Sequence, residues 1–138
     1  MFVENPALYI HIPFCVSKCT YCDFFSVLQV SVPDEYVDAL IKEFDFKISE
    51  HKIKSFYSVY FGGGTPSLLS KVQILSLLEN ILPFTTDKTE ISFECNCDDI
   101  SLDDYRNRNF YRIRSVINDM KRLGPDELGK HTTIKDLL

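Results

Sequence analysis

Tyr9-Ile10-His11-Ile12-Pro13-Phe14-Cys15-Val16-Ser17-Lys18-Cys19-Thr20-Tyr21-Cys22-Asp23-Phe24 is the stretch from which the rest of the chain is read. It begins inside an alternating run from Ala7 to Pro13, with Leu8, Ile10 and Ile12 on one side and Tyr9 and His11 on the other. Period-two alternation of β-branched and aromatic residues predicts a strand. Pro13, which has no N–H to give to a ladder, ends it. A loop with three cysteines at C-x3-C-x2-C spacing follows at once. Three thiolates this close suit a soft metal or a metal–sulfur cluster. Three is one short of the four ligands of a closed cluster or a structural zinc site. A [4Fe–4S] cube held by three cysteines leaves one iron with an open position, where chemistry can take place. Two other uses stay beside this one: zinc, with His11 or a distant residue as fourth ligand, or half of a disulfide framework. Zinc patterns usually come as two separated pairs, and no second C-x2-C exists; Cys95-Asn96-Cys97 is a poor pair for one tetrahedral ion. His11 reads first as a polar group hydrogen-bonded near the site and second as a ligand.

At 138 residues the chain fits one domain by length. Its 45% hydrophobic and 25% charged residues place it with ordinary globular chains rather than disordered ones. A net charge of −5 argues against nucleic acid as the main partner, since phosphate binding calls for a basic surface. The N-terminus shows no positively charged region before an apolar run, so no secretory signal is expected. No apolar run reaches the roughly 18 residues of a membrane span. These features predict a cytoplasmic protein whose five cysteines sit in a reducing compartment, where thiolates bind metals rather than pair.

Beyond the cysteine loop, Phe24 to Val32 is apolar and irregular, and reads as a connector that covers the cluster. Pro33-Asp34-Glu35 is a helix start, and Tyr36, Ala39, Leu40, Glu43, Phe44 and Ile48 predict an amphipathic helix from about Asp34 to Lys52. Phe56 to Phe61 is an almost wholly apolar second strand, of the kind buried on both faces of a parallel sheet. It runs into Gly62-Gly63-Gly64-Thr65-Pro66-Ser67. Glycines at a strand's carboxyl end permit unusual φ/ψ and let a ligand approach the main chain closely. This is not a phosphate-binding P-loop, because no Gly-Lys-Ser/Thr follows. Ser70 caps a predicted second helix from about Lys71 to Leu82, with Val72, Leu75, Leu78 and Ile81 or Leu82 as its buried stripe and Pro83 as its stop. Glu90 to Cys95 alternates again as a third strand, ending in Glu94, a carboxylate suited to hydrogen-bonding ligand hydroxyls or amines.

Strands alternating with helices imply right-handed crossovers and a parallel sheet. The cysteine loop, the glycine run and Glu94 all follow strands, and so are expected to meet at the carboxyl end of the sheet, where α/β folds keep their sites. After Asp98 the pattern decays. Tyr111 to Ile117 could be a fourth strand or the start of a helix, and a short helix is possible at Thr133 to Leu138. Arg106, Arg108, Arg112, Arg114, Lys121 and Arg122 read as a solvated basic face.

Three ordered pieces, L-Y-I-H-I-P-F-C-x3-C-x-Y-C, V-Y-F-G-G-G-T-P-S and I-S-F-E-C-N, resemble the radical S-adenosylmethionine (SAM) superfamily. Within it they resemble the oxygen-independent coproporphyrinogen III oxidase family, which includes HemN-type dehydrogenases and HemW-type haem chaperones. The match covers about Pro6 to Ile100. It implies an α/β fold: a partial (β/α) barrel whose parallel sheet holds about three to four βα units. Residues 1–100 would form the N-terminal part of the radical SAM core and 101–138 a divergent or truncated tail.

The resemblance further implies that Cys15, Cys19 and Cys22 hold a [4Fe–4S] cluster whose fourth iron is chelated by SAM. Tyr9 would lie against SAM, and Tyr21 near the adenine or the cluster. Gly63, Gly64 and Thr65 would contact the methionyl part of SAM, largely through backbone, and Glu94 would hydrogen-bond it. The implied chemistry is one-electron reduction of the sulfonium to methionine and a 5′-deoxyadenosyl radical, in porphyrin or haem metabolism. HemN-type dehydrogenases carry a further cysteine two positions after the third ligand; here that position is Phe24, as in HemW-type chaperones.

The chain departs from the family at Cys97, where the family's E-x-N-P has proline, and in lacking the Gly-Val-Gln-Ser end of a fourth strand. Leu128-Gly129-Lys130-His131 only echoes a later family segment. Family members are more than twice as long. The expectation is therefore a truncated or decayed member with an open sheet edge and an uncovered apolar face, and with reduced or no activity alone. Its expected partners are SAM, a porphyrin or haem, and a haem acceptor or a chain completing the barrel. The competing readings are a non-catalytic haem- or iron–sulfur-binding module and a small structural zinc protein.

Overall fold

The computed structural model describes residues 5–94. Cys95, Cys97 and every element expected after them, the basic face included, lie outside the described residues. Within them run, in order, β1 (Ala7–Ile12), β2 (Phe14–Cys15), β3 (Val27–Leu28), α1 (Asp34–His51), β4 (Ser58–Gly63), α2 (Lys71–Ile81) and β5 (Glu90–Phe93). β1, β4 and β5 form a parallel sheet in the order β1-β4-β5. α1 and α2 lie in the two crossovers, so the α/β pattern with a parallel sheet is the one the alternation predicts.

α2 begins where Ser70 closes a capping box: Gln73 N–H donates to Ser70 Oγ at 3.3 Å and Ser70 N–H donates to Gln73 Oε1 at 2.9 Å. Pro83 turns the far end into a tight 3-10 turn, Leu82–Phe84, so the helix stops at Ile81. α1 starts after an extended Pro33 with Asp34 and Glu35 in its first turn, and ends because Lys52 takes the left-handed conformation at φ 51°.

Each predicted stripe packs on the core for the most part, but is wider than expected and loses Ala39 and Glu43 in α1 and Val72 in α2. α1 buries Val37 and half-buries Tyr36, Leu40, Ile41, Phe44 and Ile48, while Ala39 and Glu43 face solvent. α2 buries Ile74, Leu77, Leu78 and Ile81, leaving Val72 75% exposed and Leu75 half-buried. The contact with the sheet selects the wider rows, Val37 and Ile41 in α1 and Ile74, Leu77, Leu78 and Ile81 in α2. Together with Ile10, Ile12, Val59, Phe61 and Ile91 from the strands they make the core.

β4 begins two residues later than the predicted Phe56–Phe61 and runs into the glycines. It is not buried on both faces. Tyr60 is 40% exposed and lies with Tyr9 and His11 on the face turned away from the core. The uncovered face is thus aromatic and polar rather than plainly apolar. The Phe24–Val32 connector also differs. Val27 N–H donates to Pro13 O at 2.7 Å and Gln29 N–H to Cys15 O at 2.9 Å, which builds the small β2–β3 pair. Phe24 and Phe25 point outward instead of forming a cover.

Gln73 joins the two helix starts. Its Nε2 donates to Val32 O at 2.8 Å and to Asp34 Oδ1 at 2.6 Å, in a buried position. Gln73→Ala removes the reciprocal cap and leaves a buried carbonyl without this donor. It is expected to lower the unfolding free energy by about 2 kcal/mol, read as a reduced urea midpoint at unchanged slope.

Candidate functional site

The parallel register brings the three predicted strand ends together. His11 and Ile12 stand opposite Gly62 and Gly63, and Phe61 stands opposite Phe93. Glu94 N–H continues the ladder to Phe61 O at 3.0 Å, and Gly64 N–H donates to Ile12 O at 2.8 Å. The Glu94 carboxylate then turns back over the glycine run. Its Oε2 accepts from Gly63 N–H at 3.2 Å and its Oε1 from the Tyr60 hydroxyl at 2.5 Å. That bond, ahead of desolvation, raises the Tyr60 pKa above the ordinary tyrosine value of 10.0 and keeps it a donor. With both oxygens engaged, Glu94 has lone pairs left for a further donor.

The space that the glycines leave open is taken first by the protein's own groups. A Cβ at Gly63, where φ is +121°, would stand 2.8 Å from Ile12 O and 2.9 Å from His11 Nδ1. One at Gly64 would stand 2.8 Å from both Cys15 Sγ and Phe14 O. The glycine run therefore seats the cysteine loop. Thr65 is 5% exposed, and its hydroxyl donates to Cys15 Sγ at 3.4 Å.

Cys15 and Cys22 are half-buried, Cys19 is exposed, and all three are free thiols. Cys22 N–H donates to Cys19 O at 3.1 Å, closing a turn between them. Among the described residues no three metal-ligating side chains converge in one set. The donor chemistry nevertheless fits a thiophilic cluster: three unpaired thiols on one short loop, one of them already accepting a hydrogen bond. The disulfide reading has no support among these free thiols.

Tyr9 stacks on Tyr60 with ring centres 6.0 Å apart, and its hydroxyl lies 2.9 Å from His11 Nδ1. His11 is thereby a hydrogen-bonded polar group beside the site, its favoured reading. Its carbonyl accepts from Tyr36 at 2.7 Å. Burial first, then Glu43, raises the Tyr36 pKa above the ordinary tyrosine value. Tyr21 stands on the loop, 87% exposed. The register thus gathers Tyr9, Cys15, Gly63, Gly64, Thr65 and Glu94 at one end of the sheet, with Cys19, Tyr21 and Cys22 on the adjoining loop. Tyr60 was missed by sequence reasoning because it sits in an apolar run. The available signal was its parity: it lies two residues before Gly62, on the same strand face as Tyr9.

Among the described residues no helix is long and apolar enough to cross a membrane. The family model for the radical SAM superfamily matches residues 9–129. The haem chaperone HemW of Escherichia coli (strain K12) is 38% identical over 86% of this chain and 34% of its own length. The oxygen-independent coproporphyrinogen III oxidase of Salmonella typhimurium is 33% identical over 88% of this chain and 28% of its own. The solved structure of coproporphyrinogen III oxidase (HemN) from Escherichia coli, described as a radical SAM enzyme, superposes with a TM-score of 0.62 at 33% identity. That superposition covers 72% of this chain and 24% of HemN. The chain thus spans about a third or less of the length of these relatives. The sheet is a partial radical SAM fold of the HemN type, as the three motifs implied. Taken with the strand-end cysteine loop, glycine run and carboxylate, these matches show that the chain belongs to the radical SAM superfamily, with HemW and HemN among its relatives and a [4Fe–4S] cluster and SAM as the cofactors its family implies.

Proposed function

We propose that the chain supplies the first βα units of a HemW-like radical SAM core. In this reading Cys15, Cys19 and Cys22 hold a [4Fe–4S] cluster, and SAM lies across the carboxyl ends of β1, β4 and β5. The observation that carries it is the meeting of Cys15, Gly63, Gly64, Thr65 and Glu94 at one sheet end. The cluster, once bound, supplies one-electron reduction of SAM. The chain's own residues bind and orient. The backbone at Gly63 and Gly64 and the carboxylate of Glu94 would take the methionyl part of SAM. Tyr9, half-exposed on the open face, would lie against it, and Tyr21 would close over the adenine or the cluster. The exposed phenylalanines that follow Cys22, with Phe24 where HemN-type dehydrogenases have a further cysteine, favour the haem-delivering branch.

A porphyrin or haem is the proposed further ligand, on the strength of what the relatives' names say they handle. The proposed setting is the cytoplasm, with a haem acceptor or a chain completing the barrel as partner. A haem- or iron–sulfur-binding module without turnover is the second reading, and the experiment below separates the two.

The test is anaerobic reconstitution with iron and sulfide, followed by visible absorbance and EPR with and without SAM. A reducible cluster whose EPR signal changes on adding SAM is expected. A colourless protein that takes up zinc instead would overturn the reading. Formation of 5′-deoxyadenosine from SAM would separate turnover from the binding-module alternative.

A further inference from the structure

We propose that the Thr65 hydroxyl is a dedicated hydrogen-bond donor to the sulfur of Cys15, and that this bond sets the redox poise of the cluster site. The inference rests on the reading of Cys15 as a cluster ligand. Thr65 precedes the 3-10 turn Pro66–Leu68, at the position where a threonine side chain usually caps the turn, yet it makes no side-chain cap bond. The residue is 5% exposed, so its hydroxyl needs a partner within the protein. That partner is Cys15 Sγ at 3.4 Å. The backbone around it is fixed for this contact. Gly64 N–H is bonded to Ile12 O at 2.8 Å, and a side chain at Gly64 would collide with the same sulfur, 2.8 Å from its Cβ. Pro66 behind it is fully buried. Thr65 is thus a positioning residue that acts through Cys15, in addition to any backbone contact with SAM.

A donor to a ligating sulfur withdraws electron density from it and favours the reduced, more negative cluster. Hydrogen bonds to cluster sulfurs are among the levers that set these potentials. Losing the bond should therefore make the cluster harder to reduce.

The experiment is an anaerobic redox titration of the reconstituted full chain, read by EPR, for wild type, Thr65→Val and Thr65→Ser. Thr65→Val is expected to lower the ratio of reduced to oxidised cluster at a fixed potential about tenfold. This is a shift of about 59 mV to more negative potential for one electron. Thr65→Ser, which keeps the hydroxyl, stays near wild type. If valine crowds Cys15 and prevents assembly, Thr65→Ala replaces it with the same shift expected, and assembly in Thr65→Ser but in neither Val nor Ala overturns the redox role and leaves Thr65 as a structural support of the loop. A wild-type cluster whose potential is the same in all variants, or shifts equally in Thr65→Ser, overturns the proposal and leaves the cluster assignment standing. A wild type that takes up no cluster overturns both.

Discussion

Gly63→Ala is expected to destabilise the fold by about 4 kcal/mol, a large share of the total stability of a small domain. Two costs combine. At φ +121° an L side chain is strained whatever room it has, which costs about 1–3 kcal/mol. The added Cβ would also meet Ile12 O at 2.8 Å and Ile12 N at 3.0 Å. These are backbone atoms of a paired strand, and Ile12 O is already held by Gly64 N–H at 2.8 Å. They can move only by opening the β1–β4 ladder, an overpacking cost of about 1–3 kcal/mol. Gly62→Ala is the control. Its Cβ would meet ring atoms of Tyr60 at 2.6 Å and of Tyr9 at 3.0 Å, on the open face where the rings can turn away. A loss of about 1 kcal/mol is expected there. Urea unfolding followed by circular dichroism reads both. Equal losses in the two variants would mean that neither the left-handed backbone nor the Ile12 contact constrains Gly63.

The contrast between neighbouring glycines shows where sequence information ends. Three glycines after an apolar run signal that side chains are excluded. They do not say whether the excluding group is a ligand, a strand carbonyl or a cysteine sulfur. The chain order of the motifs was enough to place them at one sheet end, because parallel crossovers leave few topologies. Pro13, Ser70 and Pro83 were legible as stops and caps because their effects are local. The rotation of each helix was legible only to within the edges of its stripe. Val37 competes with Tyr36 and Ala39, and Ile74 with Val72, on nearly equal apolarity, and only the shape of the sheet they meet decides. Tyr60 misleads for a related reason. Tyrosine counts as apolar in a run, yet on an open face its hydroxyl is the informative atom, as the bond from Tyr60 to Glu94 shows. Thr65 likewise has the sequence signature of a turn cap, while its side chain serves a sulfur fifty residues earlier.

Glu94→Ala is expected to weaken SAM binding by the reconstituted chain about thirtyfold, or about 2 kcal/mol, the cost of losing a charged hydrogen bond to the ligand. The carboxylate is exposed but not free to wander. Gly63 N–H holds one oxygen at 3.2 Å and the Tyr60 hydroxyl the other at 2.5 Å. Tyr60 itself is held against Tyr9 across the β1–β4 register. This arrangement fixes the direction in which the remaining lone pairs point before ligand arrives, and preorganisation of this kind improves affinity by removing an ordering cost. Tyr60→Phe should therefore weaken SAM binding too, by about fivefold, although Tyr60 is assigned no contact with the ligand. The two effects are not independent. In a Glu94→Ala background Tyr60→Phe has no carboxylate left to orient, and its further effect on SAM affinity should vanish. Calorimetric titration of SAM into the four proteins closes this cycle. Additive losses would show that Tyr60 acts on SAM directly or through stability. A Glu94→Ala variant with wild-type affinity would remove the carboxylate from the SAM site altogether, and would leave its bonds to Tyr60 and Gly63 as a structural latch between β4 and β5.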